Sequence, residues 1–224
     1  MRTEARVIDL SRTEQGTYAA PDTTRVIRNT YQLLALSTAV AGVGAGISML
    51  AGFGPLAGIV FTLLGLVPLF YLHKKRNTAA AVPAMLTFTA LSGLGLGPTL
   101  SHYINMPGGS GTVLTAAVIT TAVTLALTAY VQRTGKDFSR MGGFLFAGLI
   151  VVILASIAAM FVPAMQVGVS AVAALLFSGF ILYDTSRLVR GEEDNYVMAA
   201  VSMYLNVLNL FLSVLQLLGF SSID

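Results

Sequence analysis

The chain has 224 residues, 55% of them hydrophobic and 10% charged, with a net charge of +3 and no cysteine. A soluble domain carries about a quarter charged residues, so these proportions exclude an ordinary water-soluble fold and indicate an all-α polytopic membrane protein. The absence of cysteine excludes disulfides and thiol chemistry and removes the thiolate metal ligands.

Residues 1–28 are polar and contain no apolar core of the kind a cleavable signal peptide needs. They read as a mobile cytoplasmic tail, with Arg25 and Arg28 at anionic headgroups, followed by a seven-helix transmembrane domain over residues 29–224. Seven apolar runs then follow, at about 30–51, 55–72, 79–102, 112–131, 141–162, 165–189 and 196–220. Each is close to the ~20 residues that a helix needs to cross ~30 Å of hydrocarbon. The first contains Gly42-xxx-Gly46 and the third Gly93-Leu-Gly95-Leu-Gly97-Pro98, small-residue patterns that let backbones approach closely. Pro98 also frees a carbonyl that a neighbour must satisfy. Pro55 and Pro68 leave the course of the second run open, and the polar content of the seventh allows a re-entrant as well as a spanning segment.

All thirteen basic residues fall in the N-terminal tail or in the breaks after runs two, four and six. The opposite breaks, 52–54, 103–111 and 163–164, hold no charge, so alternation of seven spans gives a positive-inside pattern without exception. The N-terminus is expected in the cytoplasm and Asp224 outside.

One formal charge stands apart. Asp184 lies near the end of the sixth apolar run, where an ionised carboxylate costs several kcal/mol unless partnered. An acid at that depth marks a functional site, or else an interfacial Asp that reaches headgroups or pairs one turn away with Arg187. On the seventh run, Ser202, Asn206, Asn209, Ser213 and Gln216 recur at intervals of four and three, which makes one polar stripe. Such a stripe cannot face lipid and must turn toward other helices or a wet cavity. It is either interhelical glue or, with Asp184, the lining of one polar path. Counting ~1.5 Å per residue from the intervening turn puts Asp184 ~9 Å and Asn206 ~16 Å deep, so they meet only if the two helices are staggered or unequally tilted.

The segments Tyr183-Asp-Thr-Ser-Arg187, Asn195-Tyr196, Tyr204-Leu-Asn-Val-Leu-Asn-Leu-Phe211 and Leu217-Leu-Gly219 resemble the C-terminal signature of the Bax inhibitor, or transmembrane Bax inhibitor motif, family. Val26 to Leu34, Met141-Gly-Gly143 and Leu218 to Ser222 look similar too. The resemblance implies seven helices with the last one surrounded by the other six. It also implies one of two activities: a pH-sensitive calcium leak, in which two intramembrane aspartates share a proton, or restraint of the membrane-anchored AAA protease FtsH in one bacterial branch. The similarity is closest to that branch.

Asp184 matches the first aspartate of the leak pair, and Asn206 stands where the leak members carry the second. Two close carboxylates titrate as a coupled pair, whereas one Asp beside one Asn does not, and one carboxylate among neutral oxygens makes at best a weak Ca2+ site. The expected function is therefore modulation of FtsH in the inner membrane, with a calcium or cation leak as the alternative. Asp184, Asn206, Asn209 and Arg187 form the candidate pore and pH-sensing group. The expected partners are the FtsH complex, by resemblance, the lipid bilayer and calcium ions, with no nucleic acid, cofactor or catalytic residue. An enzyme is disfavoured because His73 and His102, the only histidines, belong to opposite membrane faces in this topology.

Overall fold

The computed structural model describes residues 23–221, which form seven helices and two short 3-10 turns with no strand among them. The helices are α1 Thr23–Leu50, α2 Pro55–Lys74, α3 Ala81–Ile104, α4 Gly109–Thr134, α5 Gly142–Ala159, α6 Gln166–Val189 and α7 Tyr196–Ser221. Each lies in a segment long and apolar enough to cross a membrane. The bounds expected from hydropathy hold to within a few residues except at α1, which begins at Thr23 and so includes Arg25 and Arg28. Those long basic side chains extend a helix beyond the apolar run because their heads reach water while their stems lie along the helix. The remainder of the expected tail, residues 1–22, and Asp224 lie outside the described residues.

Local chemistry sets the helix ends. Pro55 opens α2 at its first turn, where no intrahelical N–H is needed. Gly135 closes α4 in the left-handed region at φ 62°, its N–H bonding the Val131 carbonyl at 2.8 Å. Pro68 and Pro98 both sit inside helices that continue through them. Likewise α7 is a single uninterrupted helix, which answers the re-entrant alternative in favour of a segment long enough to span.

Helix α7 is the most buried of the seven, with 50% of its apolar window inside the protein, and it packs directly on α1, α3, α4 and α6. Helices α2 and α5 stand one layer out, packed on α3 and α6 respectively. The last helix is therefore central, with four of the other six as its principal immediate neighbours.

The small-residue seam between α1 and α3 differs from the one expected. A Cβ added to Gly42 or Gly46 would meet no neighbour, whereas one on Gly44 would fall 2.7 Å from the Ala90 carbonyl oxygen. The buried face of α1 runs through Ala41, Gly44, Ala45 and Ser48, an i, i+3, i+4, i+7 stripe that leaves Gly42 and Gly46 to one side. On α3 the expectation holds: a Cβ on Gly93 would overlap the Ala41 backbone, and one on Gly97 would overlap Ser48.

The basic breaks gather at one end of the bundle and are tied together there. Asn195 caps α7 by accepting the N–H groups of Val197 and Met198 at 3.0 Å each, while its Nδ2 donates to the Arg76 carbonyl and to Asn77 Oδ1 at 2.8 and 2.9 Å. One amide thus joins the α2–α3 break to the start of α7. In the break between α4 and α5, Asp137 accepts from the Ser139 hydroxyl and backbone N–H and pairs with Arg190 at 3.4 Å. Those hydrogen bonds, then the nearby Arg190 and Arg140 charges, hold its carboxyl below the usual carboxylate range. Replacing Asn195→Ala removes both the cap and the tie, an expected loss of about 1–2 kcal/mol in a detergent melting experiment. Asn195→Asp should recover part of that loss, because it keeps the capping acceptor. An alanine variant that melts with the parent would show that the tie carries no stability.

Candidate functional site

Asp184 and the α7 stripe meet. Ser202 Oγ and Asn206 Nδ2 both donate to Asp184 Oδ2, at 2.5 and 2.7 Å. They reach one oxygen because residues four apart lie one above the other on a helix face. The meeting needs the stagger anticipated from the depths. Asp184 is five residues from the end of α6, while Ser202 and Asn206 centre eight residues into α7, so α7 begins about 4.5 Å further out.

Asp184 is half-buried, and its second oxygen makes no hydrogen bond among the described residues. Tyr31 from α1 approaches the same centre and keeps company with Thr128 and Gln132 of α4 and Thr185 of α6. The hydroxyls of Tyr31, Thr128 and Thr185 are buried without a well-formed hydrogen bond in the protein. The carboxylate takes its hydrogen bonds from α7, and Tyr31 links its surroundings to α4. Hydrogen bonds to an ionised oxygen contribute about 1.5–3 kcal/mol each, enough to offset much of the cost of withdrawing it from water.

The other two candidate residues are placed differently. Arg187 turns to Glu192 and Glu193, at 3.9 and 3.7 Å, and its guanidinium lies 5.6 Å from the Tyr183 ring centre. It makes no ion pair with Asp184, so the simple Asp–Arg pair one turn apart does not form. Asn209 donates its Nδ2 to the Leu205 carbonyl of its own helix at 2.7 Å and does not touch Asp184.

A cavity of about 690 Å³ lies between α5, α6 and α7, and all five stripe residues, from Ser202 to Gln216, line it. Near its far end Ser170 of α6 donates to Gln216 Oε1 at 2.7 Å. The opposite side of α7 borders a smaller cavity of about 310 Å³, walled mainly by residues such as Leu96, Leu100, Val207, Leu208 and Phe211. One helix therefore shows a polar face and an apolar face, as the period of its sequence requires.

Among the described residues no group of three His, Cys, Asp or Glu side chains is placed to hold a metal ion. Ca2+ takes six to eight oxygens, several of them usually carboxylate, and one Asp with neutral hydroxyls and amides fits it poorly. Sequence reasoning did not find Tyr31, Thr128, Gln132 or Thr185. Tyr31 is an isolated polar residue on α1 and Thr185 adjoins Asp184, whereas Thr128 and Gln132 continue a spacing of four from Thr120 and Thr124 along α4, the one signal that could have found them. Ser202 was legible in the stripe, though not as a direct partner of Asp184.

Residues 23–222 match the family model described as "Inhibitor of apoptosis-promoting Bax1". A membrane protein of Vibrio cholerae, itself uncharacterised, is 44% identical over 88% of this chain and 90% of its own length. "Modulator of FtsH protease YccA" of Escherichia coli strain K12 is 39% identical over 90% of this chain and 93% of its own. A Campylobacter jejuni protein of unknown role is also 39% identical, over 86% and 87%. With the family model matching residues 23–222 and relatives aligned over about nine-tenths of both chains, this seven-helix protein belongs to the Bax inhibitor family.

Proposed function

We propose that the protein is an inner-membrane modulator of the FtsH protease, oriented with its basic end in the cytoplasm and Asp224 outside. The reading rests on similarity to the relative named for that role and on one feature of the site. Asp184 is held by the neutral Ser202 and Asn206 and not by a second carboxylate. A lone acid satisfied by fixed donors has no partner with which to share a proton, so it serves as a structural anchor between α6 and α7. The orientation follows from the segregation of every Lys and Arg. A reporter fused after Asp224 should be active only if exported, and cytoplasmic activity there would contradict it.

By the same resemblance, residues 1–22 supply the cytoplasmic end that a processive protease engages. In membranes containing FtsH, the full chain should co-purify with the protease, and deletion of residues 1–22 should lengthen the half-life of the chain. An unchanged half-life removes the tail from the mechanism, and failure to co-purify with FtsH counts against the whole reading.

A cation leak is the second reading, favoured by the polar lining of the 690 Å³ cavity. In liposomes it predicts calcium flux that the modulator reading does not require.

A further inference from the structure

The cavity beside α7 is a groove more than a chamber. Helix α5 packs on α6 and not on α7, so the space between them opens sideways. Its rim includes Ile153 and Ile157, each about half exposed at 51% and 52%, as lipid-facing side chains are. The floor is different. From Ser202 to Gln216 it runs about 21 Å along α7, some two-thirds of a ~30 Å hydrocarbon layer.

Three amides on that floor are half-satisfied. Asn206 spends its Nδ2 on Asp184, Asn209 spends its own on Leu205, and Gln216 accepts from Ser170. Asn206 Oδ1, Asn209 Oδ1 and Gln216 Nε2 make no hydrogen bond among the described residues. Asn206 is 93% buried and borders the groove, so its free oxygen is shielded from everything except what enters there. Acyl chains offer no donors, and unmet polar groups in hydrocarbon cost several kcal/mol each. A column of water would meet the acceptors but would lie against hydrocarbon along its open side. A helix with small and hydroxyl or amide residues on one face and apolar residues on the other meets both demands.

We infer that this α5–α7 groove seats one transmembrane helix of the protease, lined with Ser, Thr, Asn or Gly toward α7. The inference rests on the proposed function and specifies where the partner binds. Donors on that helix would serve Asn206 and Asn209, and an acceptor would serve Gln216. Its apolar back would close the gap between Ile153 and the α7 rim.

The test uses the full chain co-expressed with FtsH, carrying a photo-crosslinking side chain at Ile153 or Leu212 in the groove, or at Leu64 on α2 as the outside control. The groove positions should give an adduct with an FtsH transmembrane segment, identified by peptide mapping, and Leu64 should not. The double variant Asn209→Leu, Gln216→Leu should lower the Leu212 adduct about tenfold, from loss of two interhelical polar contacts. Because the crosslinks are read on an otherwise native groove, they remain decisive if that variant folds poorly. Co-purification with FtsH but no groove adduct overturns the docking site and leaves the function standing. Adducts only to lipid, or to a second copy of this chain, overturn it as well. Failure to co-purify overturns both.

Discussion

Asn206→Asp should lower the stability of the bundle by about 2–3 kcal/mol at pH 8 and by much less at pH 5. The substitution replaces a donor 2.7 Å from Asp184 Oδ2 with an acceptor. At pH 8 two carboxylates would share one site, lose a charge-assisted hydrogen bond and repel. At pH 5 one shared proton restores a hydrogen bond between them, and the pair titrates as a unit. Arg187 near the end of α6, Glu193 in the break that follows it and Tyr31 on α1 are the other ionisable groups near this centre, and none of them provides a direct donor to the second oxygen. Stability should therefore rise as pH falls through the titration of the pair, opposite to the usual behaviour of a carboxylate held by a cation. Melting in detergent at the two pH values measures this without any assumption about conduction. If any calcium leak exists, Asn206→Asp should steepen its pH dependence in liposomes and Asp184→Asn should abolish it. Equal destabilisation at both pH values would show that the two side chains do not share a proton.

A second large effect is expected at the α1–α3 seam. Gly93→Ala places a methyl group where the Ala41 backbone already is, and neither helix backbone yields as a flexible side chain would. The expected loss is about 3 kcal/mol or more, seen as a collapsed melting temperature or little folded protein in the membrane. Gly46→Ala provides the contrast. Its Cβ meets nothing, and alanine is the better helix former by about 1 kcal/mol, so the variant should match or exceed the parent. If the two substitutions behave alike, the helices are not packed in this register.

These two sites also show what a sequence can disclose. The spans were legible because charge is excluded from hydrocarbon, so Lys74, Arg133 and Arg190 mark helix ends that composition alone can locate. The start of α1 was not, since Arg25 and Arg28 lie in helix outside the apolar run. Gly42-xxx-Gly46 announced a close approach but not its face; the seam instead uses Gly44, whose spacing to Ala41 and Ser48 is equally helical. The stripe from Ser202 to Gln216 was readable as one polar face. Its contact with Asp184 depended on a stagger between α6 and α7 that rise per residue cannot supply. Tyr31, Thr128 and Gln132 went unplaced for a plainer reason: Tyr31 stands alone on α1, the spacing of four from Thr120 to Gln132 on α4 names no partner, and only packing brings those two helices together beside α6.

The most direct test of the account reconstitutes the full chain with FtsH in calcium-loaded vesicles and follows, in one preparation, ATP-driven degradation of a membrane-embedded reporter and release of calcium. As the chain is added at fixed protease, degradation should slow severalfold, with calcium retained at both pH 5 and pH 8. Undiminished degradation together with pH-dependent calcium release would contradict the modulator reading and assign the chain to the leak activity instead.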